Sequence, residues 1–204
     1  NISSKTINCK YWIFGGLNYF GTILAYKIDA VMIGNILSKT MVGYYSTYLF
    51  LASVLEIPFR SFNRISGPII SQAFEKNQLD LIEDIYKKSS KNLMVSGLLV
   101  FGGIWLNLDY LFEIMTNGED IKMYKYIFLL LGLSKLFDTL TSVNNLILIY
   151  SKWYKYNLYF LLLLGSSNIF LNIYFINEFG IIGAAYATAI SIFAFNTVKS
   201  LFIF

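Results

Sequence analysis

The chain has 204 residues, 56% of them apolar and only 14% charged, against roughly 25% charged in an average soluble domain. Its mean hydropathy is +0.58, and a soluble domain of this size could not cover so much apolar surface with polar groups. That excludes an ordinary soluble enzyme and a disordered or fibrous chain, and points to an integral membrane protein. Histidine is absent and Cys9 is the single cysteine, which argues against an intrachain disulfide, a His/Cys zinc site and a histidine-activated nucleophile. The net charge is +4. Because the basic residues flank apolar runs, they are expected to set membrane orientation rather than to bind nucleic acid. The chain starts at Asn1 and stops at Phe204 within an apolar run, so it reads as a segment of a longer protein.

A bilayer core of about 30 Å needs roughly 20 apolar residues in a helix. Six stretches qualify: 11–33, 42–65, 93–115, 124–150, 156–176 and 181–204. The expected fold is therefore all-α, a polytopic membrane bundle of six transmembrane helices. Barrel strands would alternate in polarity, and runs such as 159–164 do not. The loops are short and polar, with Gly180 suited to the turn before the last helix. The exception is 66–92. There Gly67-Pro68 predicts a break or kink, and Asn77 is expected to cap an amphipathic helix over about 77–91. Glu83 with Lys87, and Asp84 with Lys88, stand four apart in the favourable order.

With the N-terminus cytoplasmic, eleven basic residues fall inside: Lys5, Lys10, Arg60, Arg64, Lys76, Lys87, Lys88, Lys91, Lys152, Lys155 and Lys199. Lys39, Lys122 and Lys125 fall outside. The expectation is a multi-pass membrane protein with both ends of the segment cytoplasmic.

Ionisable residues within spans cost about 2.5–3.5 kcal/mol each on insertion and usually mark a cavity or a partner. Lys27 and Lys135 are candidates to face an aqueous path and attract an anionic head group. Asp29, Glu56 and Asp138 are candidates for a cation or a proton. The opposing reading is internal neutralisation, with Lys135 and Asp138 conveniently three apart, and Asp29 simply reaching the outer interface. Glu56 lies near Pro58, where a helix discontinuity could free carbonyls. Asn168 and Asn172 share one face of the fifth span and are candidates for the substrate pathway or for bonds between helices. Asn144 and Asn145 in the fourth span and Asn18 in the first are similar. Gly183, Ala187 and Ser191, with Ala184 and Thr188 alongside, form a small-residue stripe for close helix packing. No cofactor and no metal are expected.

Three stretches resemble a known family. Asp29-Ala-Val-Met-Ile-Gly34 with Val42-Gly43-Tyr44-Tyr45-Ser46 is the first, and Gly67-Pro68-Ile-Ile-Ser71 the second. The third is Asn172-Ile-Tyr-Phe-Ile-Asn-Glu-Phe-Gly180-Ile-Ile-Gly183-Ala184-Ala185-Tyr-Ala187-Thr188. In this order and spacing they are similar to motifs of polysaccharide flippases, the Wzx-type lipid-linked oligosaccharide transporters of the MOP superfamily. The resemblance implies that the chain is the second six-helix lobe, partnered by the other lobe of the same chain. It further implies that the protein moves an undecaprenyl-pyrophosphate-linked oligosaccharide, for O-antigen or capsule, across the membrane lipids by rocking about a central cavity. Apart from Arg60 and Arg64 at the inner end of the second span, the spans carry lysines but no arginine, which weakens the case for pyrophosphate binding in this lobe. Two other readings stay open. One is a MATE-type cation-coupled drug exporter. The other is a membrane polymerase or glycosyltransferase, which would need a sizeable catalytic loop that this chain lacks.

Overall fold

A computed structural model describes residues 27–203 except 116 and 142, and Gly16 in addition. The first expected span is described only from residue 27, and Asn18 lies outside the described residues. Every regular element among the described residues is a helix. A helical stretch over 27–36 (α1) is followed by α2 (Lys39–Ser53), a 3-10 turn (Val54–Glu56), α3 (Ile57–Glu75) and α4 (Leu79–Glu113). Then come α5 (Gly118–Lys122), α6 (Tyr126–Leu140), α7 (Val143–Tyr150), α8 (Tyr154–Phe179) and α9 (Ile181–Ile203).

Three of these, α4, α8 and α9, are long and apolar enough to cross a bilayer, and α6 with α7 makes a fourth if the bent pair is one span. The expected single helix over 124–150 is thus two helices meeting at 46°. At the end of α6 the Thr141 hydroxyl donates back to the carbonyls of Phe137 (3.1 Å) and Asp138 (3.3 Å).

The second expected span is jointed as well. Pro58 has no N–H for the carbonyl of Val54, and the Ile57 N–H takes that carbonyl instead, tightening one turn into 3-10 geometry at Glu56. Gly67-Pro68, by contrast, does not break the chain: α3 runs through it to Glu75. Pro68 and Arg64 lie on the exposed face, where polar surroundings can meet the carbonyl of Arg64 that loses its donor. Gly67 lets α7 come close, since a Cβ there would stand 3.2 Å from the Tyr150 hydroxyl.

The amphipathic connector and the third span are one helix of 35 residues. Asn77 is not its cap. It takes a left-handed backbone, φ 56°, and Gln78 is the N-cap. The pairs Lys87–Glu83 (2.5 Å) and Lys88–Asp84 (2.6 Å) form on its exposed face.

The helix α9 is apolar nearly all round and sits at the centre, packed chiefly on α8 and α6, while α6 also contacts α4 and α2. Gly180, at φ 60°, turns the chain between α8 and α9 in a conformation that favours glycine. Gly183, Ala187 and Ser191 are all buried, as the small-residue stripe predicts. At Gly183 the α8 backbone leaves no room, because a Cβ would overlap the Phe175 carbonyl. Gly183→Val is therefore expected to lower stability by about 2–4 kcal/mol, measured as the thermal midpoint of the detergent-purified protein. An unchanged midpoint would mean that the turn adapts. The outer surfaces of α4 and α8 are apolar, with Leu99 72% exposed and Phe170 73% exposed, as lipid contact requires.

Candidate functional site

The helix α9 carries two polar layers on its packed face. Thr188 belongs to one, and Asn196 and Lys199 to the other, about 12 and 16 Å further along at 1.5 Å per residue.

The first layer centres on Asp29 of α1, which is only 2% exposed and so does not reach the interface. Its Oδ2 accepts hydrogen bonds from the Tyr45 hydroxyl (2.9 Å, from α2) and the Thr188 hydroxyl (2.6 Å, from α9). Its Oδ1 accepts one from the Asn172 amide of α8 at 2.8 Å. Asn172 also donates to Asn168 Oδ1 at 2.5 Å, and Asn168 donates to Thr188 Oγ1 at 3.5 Å. Four helices thus converge on one carboxylate. Asn172 Oδ1 is buried with no hydrogen-bond partner among the described residues. One negative charge amid neutral oxygens suits a proton or a monovalent cation. Among the described residues no cluster of three or more acidic, cysteine or histidine side chains offers a site for a harder or softer metal.

The second layer faces a cavity of about 620 Å³. Lys27, Glu56, Arg60, Lys135, Asp138 and Lys199 line it, four cations with two carboxylates. Lys135 Nζ pairs with Glu56 Oε1 at 2.5 Å, across from α6 to the 3-10 turn, and Glu56 Oε2 pairs with Arg60 at 2.8 Å. Asp138 accepts from the Asn196 amide at 2.9 Å. Lys199 donates to Asn145 Oδ1 at 2.9 Å and stands 4.9 Å from the centre of the Phe195 ring.

The expected residues divide between the two layers. Lys27, Glu56, Lys135 and Asp138 come together at the cavity. Asp29, Asn168 and Asn172 form the other layer, where Asn172 bonds to Asp29 and Asn168 bonds to Asn172 and Thr188, and neither asparagine lines the cavity. Lys135 forms an ion pair with Glu56, 79 positions away in sequence. Asn144, with its amide on Ser200 at 2.8 Å, ties α7 to α9.

Four contributors were not foreseen as site residues. Arg60 and Lys199 counted only as inner-side charges, yet both line the cavity, and Lys199 is 3% exposed. Arg60 supplies a guanidinium to the cavity. Tyr45 and Thr188 lie within the motif stretches. The signal for Lys199 is its spacing: Thr188, Ser191, Phe195 and Lys199 recur at three- and four-residue steps along one face.

By fold, the chain is similar to transporters of the MOP superfamily. It aligns with the outward-facing conformation of a multidrug resistance MATE family transporter at a TM-score of 0.72 and 19% identity, over 92% of this chain and 42% of that one. It aligns with a MOP superfamily transporter from Pyrococcus furiosus at a TM-score of 0.63 and 19% identity, over 94% of this chain and 43% of that one. In sequence, it is 27% identical over 171 residues to a probable low-salt glycan biosynthesis flippase of Haloferax volcanii, covering 84% of this chain and 36% of the relative. No family model matches the sequence. By composition and fold the chain is a multi-pass membrane protein similar to transporters and, in sequence, to a probable flippase, and it spans less than half the length of each of these proteins.

Proposed function

We propose that the chain is one six-helix lobe of a flippase that carries a lipid-linked oligosaccharide across the cell membrane by alternating access against a second lobe. The observation that carries this reading is the cavity, where Lys27, Arg60, Lys135 and Lys199 outnumber Glu56 and Asp138. A cavity of this charge suits a phosphate-bearing lipid head group, and Arg60 adds the fork that favours phosphate oxygens. The similarity to a glycan flippase supports the same cargo class. An undecaprenyl-pyrophosphate carrier, an O-antigen or capsule product, a bacterial inner membrane and cytoplasmic ends of the segment are the finer parts of this proposal. The buried Asp29 layer is its coupling element, gaining and losing a proton or a monovalent cation as the lobes exchange conformations.

The test is export of surface glycan by cells that lack the gene and carry full-length variants at matched membrane levels. Arg60→Gln and Lys199→Met are each expected to cut export about tenfold or more and to leave lipid-linked oligosaccharide on the inner leaflet. Full export in the deleted cells would overturn the flippase reading. If those cells instead lost resistance to cationic drugs, a MATE-type exporter would take its place.

A further inference from the structure

The cavity that would receive an anion already holds one. Glu56 sits at the end of the 3-10 turn that Pro58 imposes, and its two oxygens are divided between cations on different helices. Oε1 lies 2.5 Å from Lys135 Nζ on α6, and Oε2 lies 2.8 Å from Arg60 Nη2 on α3. Two oxygens of one anionic group, one on a lysine and one on an arginine, is also the pattern in which these side chains take a phosphate. The Lys135 side chain is 8% exposed and that of Glu56 18%, while Arg60 is 64% exposed. The ammonium is therefore the enclosed end of the arrangement and the guanidinium its open end.

We propose that Glu56 is a built-in counter-anion, occupying between Lys135 and Arg60 the place that a phosphate group of the cargo takes, so that loading the cavity and forming the Glu56–Lys135 pair exclude one another. The inference rests on the reading of the cavity as a site for a phosphate-bearing lipid. It gives Glu56 two roles. In the unloaded lobe it spares Lys135 the cost of an unpaired charge in a poorly solvated place. It also sets a threshold: a small free phosphate must compete with a tethered carboxylate, whereas a cargo that also contacts the wall through its glycan or lipid can displace it. On release of cargo the carboxylate returns to Lys135, which resets the site.

The experiment is calorimetric binding of inorganic pyrophosphate to the full-length protein in nanodiscs, at fixed pH and ionic strength. Glu56→Gln is expected to bind about tenfold tighter than the wild type, in the ordinary range of coupling between competing groups. Glu56→Asp keeps the charge but withdraws the carboxylate by one methylene from Lys135, and is expected to show a smaller gain in the same direction. Adding Lys135→Met to Glu56→Gln is expected to erase the gain. If Lys135→Met weakens binding while Glu56→Gln leaves it unchanged or weaker, Glu56 is not a competitor, and the proposal falls while the cavity reading stands. If Glu56→Gln tightens binding but Glu56→Asp matches the wild type, only overall charge matters, and displacement is overturned. If neither the wild type nor Glu56→Gln binds pyrophosphate at all, the cavity reading falls and takes the proposal with it. Should Glu56→Gln not fold, the comparison of Glu56→Asp with the wild type decides the matter.

Discussion

Replacing Asp29 with asparagine is expected to stop transport while leaving a folded, inserted protein. The amide has the shape of the carboxylate and can still accept from Asn172, and the Tyr45 and Thr188 hydroxyls can rotate to accept from its NH2 group. The expected loss of stability is about 1–2 kcal/mol, the cost of exchanging charged for neutral hydrogen bonds. What the asparagine cannot do is carry a negative charge that a proton or cation cancels. The flipping rate in proteoliposomes should then fall at least about a hundredfold and lose its dependence on the ion gradient. Asp29→Leu should be far worse for folding. It strands the donors of Tyr45, Asn172 and Thr188 in a dry layer, at about 1–3 kcal/mol for each left unpaired. Undiminished, gradient-dependent transport by Asp29→Asn would reduce the layer to a structural joint between α1, α2, α8 and α9.

Removing Lys135 is the second large expected effect, because it acts on both packing and cargo. Lys135→Met fills the same space and leaves Glu56 with Arg60 alone. A buried pair that loses one partner costs about 3–5 kcal/mol. The Arg60 contact should hold the loss here nearer 2 kcal/mol. The double variant with Glu56→Gln removes both charges and should recover most of that stability, which a double-mutant cycle on thermal midpoints measures. Glycan export should recover in neither, since the enclosed cation is gone from the cavity. Stability and export would thus part company at one residue. Full export by the double variant at matched membrane levels would show that Lys135 serves only to neutralise Glu56.

Much of the architecture is legible in the residues, since helices and their apolar faces are local properties. The 3.6-residue pattern and span lengths give α4, α8 and α9, and the small-residue stripe marks α9 as a tightly packed helix. The joints are unevenly legible. The discontinuity beside Pro58 is signalled by the proline itself, the bend between α6 and α7 has no such signal, and Gly67-Pro68, the stronger local signal, is absorbed because Pro68 lies on an exposed face. Lys199 illustrates a different limit. Near the end of a span it looks like a topology marker, and only the packing of α9 against α6, α7 and α8 turns it inward.

By itself, the amino-acid sequence determined that this is a helical membrane protein and that a handful of charged and amide side chains must find partners within it. An uncompensated ion in a bilayer is too costly to persist, so their presence in apolar runs is informative without coordinates. Which partner each one finds was decided by tertiary structure alone. Asp29 meets Asn172 across 143 positions and Thr188 across 159, and Lys135 forms an ion pair with Glu56 on another element. Helical periodicity places a side chain on a face, but only the packing of one helix on another places a second side chain opposite it.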